Sequence, residues 1–213
     1  MYQPPHFKDE DLARQHGLIR SHPFGLLVTA GAGGLQANGI PFVLDPDASP
    51  RGTLRGHLAR PNPQWRDCVE GCPAVVVFQG PEHYVTPSWY PTKRETEKVV
   101  PTWNYVMVQA RGVARAIEDG GWLHAQIRAL TDMMEGKRPA PWSVDDAPEA
   151  FVAGQVRGIV GIEIAIESLD GKWKASQNRS EADRGGVADG LHELGTEAAG
   201  AMAALVAQRR ASP

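Results

Sequence analysis

The sequence has 213 residues, of which 42% are hydrophobic, and its formal net charge is −3. A chain of this length suits one domain and can bury roughly 70% of the surface that its unfolded form exposes. No block of five or more like charges occurs, so the composition provides no broad basic surface for nucleic acid. No apolar run approaches the roughly 18 residues of a membrane span, and no secretion signal is recognisable. These features predict a cytoplasmic protein with no membrane partner.

The first predicted elements are a helix and a hairpin. Asp9 to Arg20 is predicted to be helical, with acidic residues near its positive end. Strands are predicted at 24–29 and 35–44, joined by the glycine-rich stretch 31–34. That stretch is a hairpin turn rather than a dinucleotide loop, because Gln36 stands where the motif needs glycine and a strand follows it.

A third predicted strand, 53–58, leads into a short helix that runs to about residue 70. Asn62 suits the N-cap and Pro63 the first helical position. Arg60, Asn62 and Trp65 therefore gather beside a helix N-terminus, where backbone N–H groups and a guanidinium could bind a phosphate. A capped helix with solvated Arg60 and packed Trp65 accounts for the same residues, so both interpretations stay open.

The stretch from Val75 to Tyr90 is predicted to be the central hairpin of a sheet. Val75 to Phe78 is a continuous apolar run typical of a buried strand, and Gly80-Pro81 is predicted to reverse the chain. Ser88, Trp89 and Tyr90 lie between two prolines, which favours a sheet rim where a flat polar ligand could bind. The charged stretch 92–98 is predicted to be a mobile flap.

The strand predicted at 99–112 has two unlike faces. Asn104 shares one face with apolar residues up to Ala110, while Trp103 begins the other. An amide at the end of an apolar face indicates a polar partner within reach, either backbone or ligand.

The rest of the chain is predicted to contain three helices and one strand. The clearest helix is Trp122 to Glu135, stopped by Gly136. The other predicted elements are a weaker helix at 147–155, a strand at 158–166, a tight turn at 170–171, a basic and amide-rich segment at 172–179, and a helix at 191–210 that frays at 211–213. No domain boundary is evident, so residues 1–213 are predicted to form a single domain with a C-terminal helical segment.

Neither a metal site nor a catalytic residue is recognisable in the sequence. The seven histidines have no ligand spacing. His57 and His83 lack a partner acid at a telling spacing, which favours structural roles. Cys68 and Cys72 are predicted to be free thiols.

A distributed set of residues has the chemistry that a phosphorylated aromatic cofactor requires. Its phosphate needs cations and hydroxyls, its ring needs flat apolar faces, and its heteroatoms need amides. Taken singly, each residue can also be explained as a core aromatic or a surface charge. The set comprises Arg60, Asn62, Trp65, Ser88, Trp89, Tyr90, Trp103, Asn104, Lys174, Ser176, Gln177 and Asn178.

Four stretches resemble the signature blocks of the PaiB family: His57-Leu-Ala-Arg-Pro-Asn-Pro-Gln-Trp65, Phe78-Gln-Gly-Pro-Glu-His-Tyr-Val-Thr-Pro-Ser-Trp-Tyr90, Val100-Pro-Thr-Trp-Asn-Tyr105 and Gly171-Lys-Trp-Lys-Ala-Ser-Gln-Asn178. The family consists of FMN-binding split-barrel proteins described as negative transcriptional regulators of protease synthesis and sporulation. The resemblance implies an α+β fold dominated by a six-stranded split barrel with flanking helices. It also implies a homodimer with FMN at the subunit interface.

Three functional interpretations follow. The first is an FMN-binding regulator, for which neither charge nor motif supports direct DNA binding. The second is a flavin-dependent oxidoreductase of the pyridoxamine-phosphate-oxidase-like kind, and the third is a dimeric scaffold without flavin. If FMN binds, we expect Arg60 and Lys174 to neutralise its phosphate. Ser176 and Gln177 would add hydrogen bonds, and Trp103 with Tyr90 would flank the ring.

Overall fold

The computed structural model describes residues 1–208, so the predicted fraying at 211–213 lies outside the described residues. Within residues 1–208 the strands are β1 (Lys8–Asp9), β2 (Phe24–Gly31), β3 (Gly34–Pro41), β4 (Val43–Asp45), β5 (Thr53–Ala59), β6 (Cys72–Val85), β7 (Thr102–Ile117) and β8 (Ile159–Lys174). The α-helices are α1 (Leu12–Ser21), α2 (Thr92–Thr96), α3 (Gly120–Glu135), α4 (Glu149–Arg157), α5 (Glu181–Glu193) and α6 (Glu197–Gln208). Short 3-10 helices cover Pro5–Phe7, Pro63–Cys68, Pro87–Trp89 and Val144–Asp146.

The strands form one sheet in the order β3-β2-β6-β7-β8-β5-β4, with β1 paired to β8. The order ends at β3 and β4, so this path does not close on itself. The described residues thus contain an eight-stranded sheet rather than the six strands implied by the resemblance. The predicted α+β class, dominated by β structure, is confirmed.

The chain divides into two compact units, each built from separate segments. Among the described residues, unit 1 contains Met1–Asp11, Gln79–Val108 and 170–208. Unit 2 contains Leu12–Phe78 and Gln109–Leu169. Three of the four boundaries fall inside β6, β7 and β8, and the other falls between Asp11 and Leu12, where α1 begins.

Unit 2 is built on antiparallel pairs. In the β2–β3 hairpin Gly31 pairs with Gly34, whose φ of 94° requires a glycine, so the predicted hairpin is confirmed. β5 pairs with β8 from Thr53↔Ala165 to Ala59↔Ile159. The helix α3 lies close to β8, because a Cβ at Gly161 would come within 2.3 Å of the Trp122 ring. The predicted stop of α3 at Gly136 is confirmed.

Unit 1 has its own apolar core around α5 and α6. The buried members are Val85, Tyr90, Ala175, Val187, Leu191, Ala199, Met202, Ala203 and Val206. Trp89 packs directly on α5, since a Cβ at Gly190 would lie 2.3 Å from its indole nitrogen. The segment after Trp89 is also fastened to α5, because Asp183 accepts hydrogen bonds from the backbone N–H (3.1 Å) and hydroxyl (3.0 Å) of Thr92.

Two predicted chain reversals are wrong. Gly80-Pro81 lies inside β6, and Asp170-Gly171 lies inside β8. In residues 1–208 the glycines with positive φ are Gly34, Gly52, Gly71 and Gly195, so neither predicted turn adopts the left-handed conformation. Tertiary pairing explains both cases. The β2–β6 register ends at Val77, so Pro81 lies beyond it without breaking that ladder, and Gly171 pairs with Asp9 of β1.

Several predicted helices also differ. Because Asp9 belongs to β1, the first helix begins at Leu12 rather than Asp9. The helix predicted over 191–210 is instead divided into α5 and α6 around Gly195, whose φ is 65°. The charged stretch 92–98 contains α2, and the short helix after Asn62 is a 3-10 helix.

Among the helices of residues 1–208, none combines the length and apolar character needed to cross a membrane.

Candidate functional site

The end of β8 in unit 1 carries two lysines on one face of the strand. Lys172 is buried, and its ammonium donates to the Tyr2 carbonyl at 3.1 Å and lies 5.1 Å from the Tyr105 ring centre. Lys174 donates to the Thr102 hydroxyl at 2.5 Å and to the Trp103 carbonyl at 2.7 Å. Both lysines are therefore fixed by neutral oxygens and aromatic faces.

A third cation completes what we call the cation cluster, formed by Lys172, Lys174 and Arg179. Burial lowers the pKa of Lys174, and the positive charges of Lys172 and Arg179 lower it further. The charged form of Lys174 is thus disfavoured in the free protein. An anion bound here would relieve that repulsion, as a phosphate does when it meets lysine and arginine side chains.

Asn104 of β7 presents a buried polar atom to the same unit. Its side-chain nitrogen donates to the Ser176 hydroxyl at 2.9 Å, and both residues are buried. Its oxygen is also buried and has no hydrogen-bond partner among residues 1–208. An unsatisfied buried acceptor costs roughly 1–3 kcal/mol, so the site is suited to a ligand that donates a hydrogen bond.

Ser176 lies in a strained turn that follows β8. Its φ is 60°, a left-handed conformation that costs a non-glycine residue on the order of 1–3 kcal/mol. The Gln177 side chain holds this turn by accepting from the Ala175 N–H at 2.7 Å and donating to the Trp173 carbonyl. Gln177 therefore shapes the backbone that positions Ser176, while Asn178 is exposed.

Tyr90 is a second buried side chain with an unsatisfied polar atom. Its hydroxyl has no hydrogen-bond partner in the described part of the chain, and the Arg179 guanidinium lies 4.8 Å from its ring centre. Burial raises the pKa of Tyr90, and the Arg179 charge opposes part of that effect. The structure thus places Tyr90 in the unit 1 core, whereas Ser88 beside it is exposed.

Trp103 is half exposed and packs edge-on against Tyr84, with ring centres 6.0 Å apart. It begins the partly exposed face of β7, opposite the buried face that carries Asn104. The two faces predicted for this strand are confirmed. An accessible aromatic surface of this kind can cover a flat ring.

Arg60, Asn62 and Trp65 lie together in unit 2, where their polar groups are used locally. The Arg60 guanidinium donates to the Arg157 carbonyl at 2.9 Å, Glu118 at 2.5 Å and the Ile159 carbonyl at 3.0 Å. Asn62 accepts from the Gln64 N–H at 3.0 Å as the predicted N-cap. The Trp65 indole donates to the Arg60 carbonyl at 2.9 Å. The prediction that these residues share one ligand with Lys174 remains a prediction.

Sequence reasoning missed Lys172, Arg179 and Tyr105, together with Tyr2 and Phe7 near the N-terminus. Phe7 lies 5.9 Å from the Lys174 ammonium. Period-two spacing in the final strand could have identified Lys172, because residues i and i+2 share one face. The N-terminal segment lies near these lysines because β1 pairs with β8. No local sequence pattern indicates that pairing.

Residues 1–168 match the family model described as "Putative FMN-binding domain". The chain belongs to this FMN-binding family. It is 33% identical to Protease synthase and sporulation protein PAI 2 of Bacillus subtilis over 207 residues, which cover 97% of this chain and 96% of that protein. The PaiB resemblance is therefore confirmed. A protein of Aspergillus fumigatus described as uncharacterized is 38% identical over 236 residues, covering 90% of each chain.

The fold is also found among solved structures. The FAD and heme binding protein from Mycobacterium smegmatis aligns with a TM-score of 0.56 and 19% identity, covering 78% of this chain and 73% of that chain. This likeness confirms the predicted split-barrel fold.

FMN is the cofactor of the family, and the chemistry of unit 1 fits it. FMN combines a phosphate, a hydroxylated chain and a ring that carries both donors and acceptors. The cation cluster matches the phosphate, and the orphaned polar atoms of Asn104 and Tyr90 match a ligand that can donate and accept hydrogen bonds.

Proposed function

We propose that this FMN-binding protein holds the flavin with the unit 1 residues around the end of β8. The observation that carries the proposal is the pair of buried, unsatisfied polar atoms on Asn104 and Tyr90 in the unit that contains the cation cluster. Native structures rarely leave such atoms unpaired without a functional reason. When bound, FMN supplies one- or two-electron transfer.

The proposed role of each residue follows from the chemistry of its side chain. The phosphate is bound by Lys172, Lys174 and Arg179. The Lys174 ammonium has three N–H groups, of which two donate to protein oxygens, so the third is available to the phosphate. Asn104 accepts a hydrogen bond from the ligand while Ser176 fixes the orientation of its amide.

The remaining predicted site residues complete the proposal. Tyr90 and Trp103 flank the ring, and Gln177 maintains the turn at Ser176. Ser88 and Asn178 are proposed as exposed contacts at the margin. We also retain the proposal that the phosphate is bound by Arg60, Asn62 and Trp65. Mutation of each residue tests this role directly.

The visible spectrum of the purified protein, followed by titration of the apo-protein with FMN, tests flavin binding. We expect a flavin absorbance band and saturable quenching of flavin fluorescence. If the folded protein takes up no flavin at micromolar concentrations, the third interpretation, a scaffold without flavin, replaces this one.

The second candidate function is regulation of transcription, which the name of the Bacillus subtilis relative favours. The net charge of −3 argues against tight DNA binding by the protein alone, because phosphate neutralisation dominates such affinity. We expect weak or partner-dependent binding. Gel shifts at physiological salt, with and without FMN, test this, and tight sequence-selective shifts would establish the regulator.

A flavin-dependent oxidoreductase is the remaining candidate. The flavin site alone supports it, since no acid or base has been assigned to a substrate. Consumption of NADH or NADPH by the FMN-loaded protein, compared with free FMN at equal concentration, tests this role. Turnover no faster than with free FMN would exclude these two reductants.

A further inference from the structure

Cys68 and Cys72 form a close thiol pair in unit 2. Cys68 ends the 3-10 helix Pro63–Cys68 and Cys72 begins β6, and both are buried. Their sulfurs are 3.0 Å apart. A disulfide needs sulfurs about 2.05 Å apart, so closure requires an approach of only about 1 Å.

The backbone between the cysteines is already bent toward closure. Gly71 has a φ of 88°, which only glycine adopts readily, and its N–H donates to the Cys68 carbonyl at 3.1 Å. The turn, rather than side-chain packing alone, therefore brings the two sulfurs together. A pair held in this way can close without unfolding of either neighbouring element.

The same segment is fastened to the β2–β3 hairpin. Gln64 is buried, donates to the Thr29 hydroxyl at 3.1 Å and accepts from the Asn38 amide at 2.8 Å. Asp67 accepts from the Gln36 amide at 3.0 Å. A covalent link at Cys68 would thus act on a segment that is hydrogen-bonded to two strands, β2 and β3.

We propose that Cys68 and Cys72 are a reversible dithiol–disulfide site that is oxidised by a peroxide. In the balanced reaction both S–H bonds and the peroxide O–O bond break and one S–S bond forms. Hydrogen peroxide leaves as two water molecules. The oxidant takes two electrons from the pair, and a small thiol reductant returns them.

The order of the two sulfurs follows from their surroundings. Burial raises the pKa of Cys68 well above its usual range, and the neighbouring Cys72 thiol raises it further. Cys72 is 4% exposed whereas Cys68 is fully buried, so the peroxide reaches Cys72 first and converts it to a sulfenic acid. Cys68 then displaces the oxidised oxygen as water and closes the disulfide.

Intact-mass measurement of the full-length, FMN-loaded protein tests the proposal. The reduced protein is treated with hydrogen peroxide while folded, quenched with acid, denatured and alkylated. We expect a mass loss equal to two hydrogen atoms, no alkylation of either cysteine, and recovery of both thiols with dithiothreitol. Two alkylatable thiols after treatment, a gain of oxygen without disulfide, or a disulfide-linked dimer would each overturn it.

Single variants test which sulfur reacts first. In Cys68→Ser, we expect Cys72 to form a sulfenic acid that dimedone captures. In the matched variant Cys72→Ser, dimedone labelling should be at least several-fold slower. Equal labelling would overturn the order, and the wild-type mass measurement decides the disulfide itself even if a variant fails to fold.

The fluorescence of Trp65 reports changes in the environment of the 3-10 helix Pro63–Cys68. The guanidinium carbons of Arg60 and Arg66 lie 6.0 Å and 5.8 Å from the centre of the Trp65 ring. We expect oxidation to shift emission in the wild-type protein and to leave Trp65→Phe without that shift. An identical shift in both proteins would overturn the proposed effect on the 3-10 helix.

Discussion

Lys174 is a partly buried ammonium whose charged neighbours, Lys172 and Arg179, are also positive. Its protein hydrogen bonds go to neutral oxygens of Thr102 and Trp103. Such an arrangement is costly in the free protein and favourable once an anion binds. Replacing Lys174 is therefore a direct test of the proposed FMN site.

Replacing Lys174 with methionine should weaken FMN binding about ten- to 150-fold, because a charged phosphate contact contributes about 1.5–3 kcal/mol. Riboflavin lacks the phosphate, so its affinity should change little. Titrations of both ligands measure the difference. The exposed Lys137→Met variant is the control, and equal FMN binding by the two variants would remove Lys174 from the site.

Arg60→Ala distinguishes a ligand role from a structural one. The substitution removes hydrogen bonds to Arg157, Glu118 and Ile159, so unit 2 should lose stability on the order of 1–3 kcal/mol. A selective loss of FMN over riboflavin would support the predicted phosphate contact. Unchanged FMN affinity with lowered urea resistance would make Arg60 structural.

FMN affinity should fall at alkaline pH because burial and nearby cations lower the pKa of Lys174. Lys174 is charged below its folded-state pKa and loses the charge that attracts phosphate as pH rises through it. The loss should therefore begin at a lower pH than it would for an ordinary lysine, whose pKa is 10.5. Dissociation constants measured from pH 7 upward test this. Lys174→Arg should remove the alkaline loss, because arginine stays charged.

At the scale of elements, α5 is shaped by the aromatic segment that follows β6. A Cβ at Gly190 would lie 2.3 Å from the Trp89 indole, and one at Gly186 would lie 2.0 Å from the Trp89 carbonyl oxygen. These glycines allow the helix to approach the segment that leads into Tyr90. The packing of a helix thereby fixes a proposed ring-flanking residue.

Gly190→Ala should destabilise the protein by about 1–3 kcal/mol, because the new methyl group overlaps the Trp89 indole. Gly185→Ala is the matched control on the same helix, where an added Cβ meets nothing within 4 Å. Alanine should stabilise that position by about 0.5–1 kcal/mol. Urea unfolding of both variants measures the contrast, and similar midpoints would contradict it.

At the scale of the molecule, one face of the β2–β3 hairpin is apolar throughout. The register places on this face Phe24, Leu26, Val28, Ala30, Leu35, Ala37, Gly39 and Pro41. Phe24, Leu26 and Leu35 are 68%, 45% and 78% exposed. Antiparallel sheets normally have a polar outer face, so a fully apolar one indicates a covering partner.

We propose that this face contributes to the predicted homodimer, because an uncharged patch is self-complementary across a two-fold axis. Leu26→Lys should shift the protein to monomer in sedimentation experiments. Leu194→Lys is the control, since Leu194 is 47% exposed and lies between α5 and α6. A monomeric wild-type protein at micromolar concentration would overturn the dimer, and a dimeric Leu26→Lys would overturn this interface.

Local sequence determined the features that depend on periodicity, caps and turn chemistry. The two faces of β7, the glycine turn between β2 and β3, the Asn62 cap and the end of α3 at Gly136 all belong to this class. Each depends on residues only a few positions apart. The family blocks further identified the split-barrel fold and FMN.

Tertiary structure decided what depends on distant partners. The residues around Gly80 and Gly171 are typical of turns, but both segments are extended strands. Gly171 is kept extended by its pairing with Asp9 of β1. Lys172 is part of the candidate site because β8 continues past Leu169. Three-dimensional packing likewise engaged Arg60 with Glu118 and left the Asn104 oxygen buried without a partner. Hydrogen-bond satisfaction and charge proximity are properties of the folded neighbourhood, and residues far apart in the chain create it.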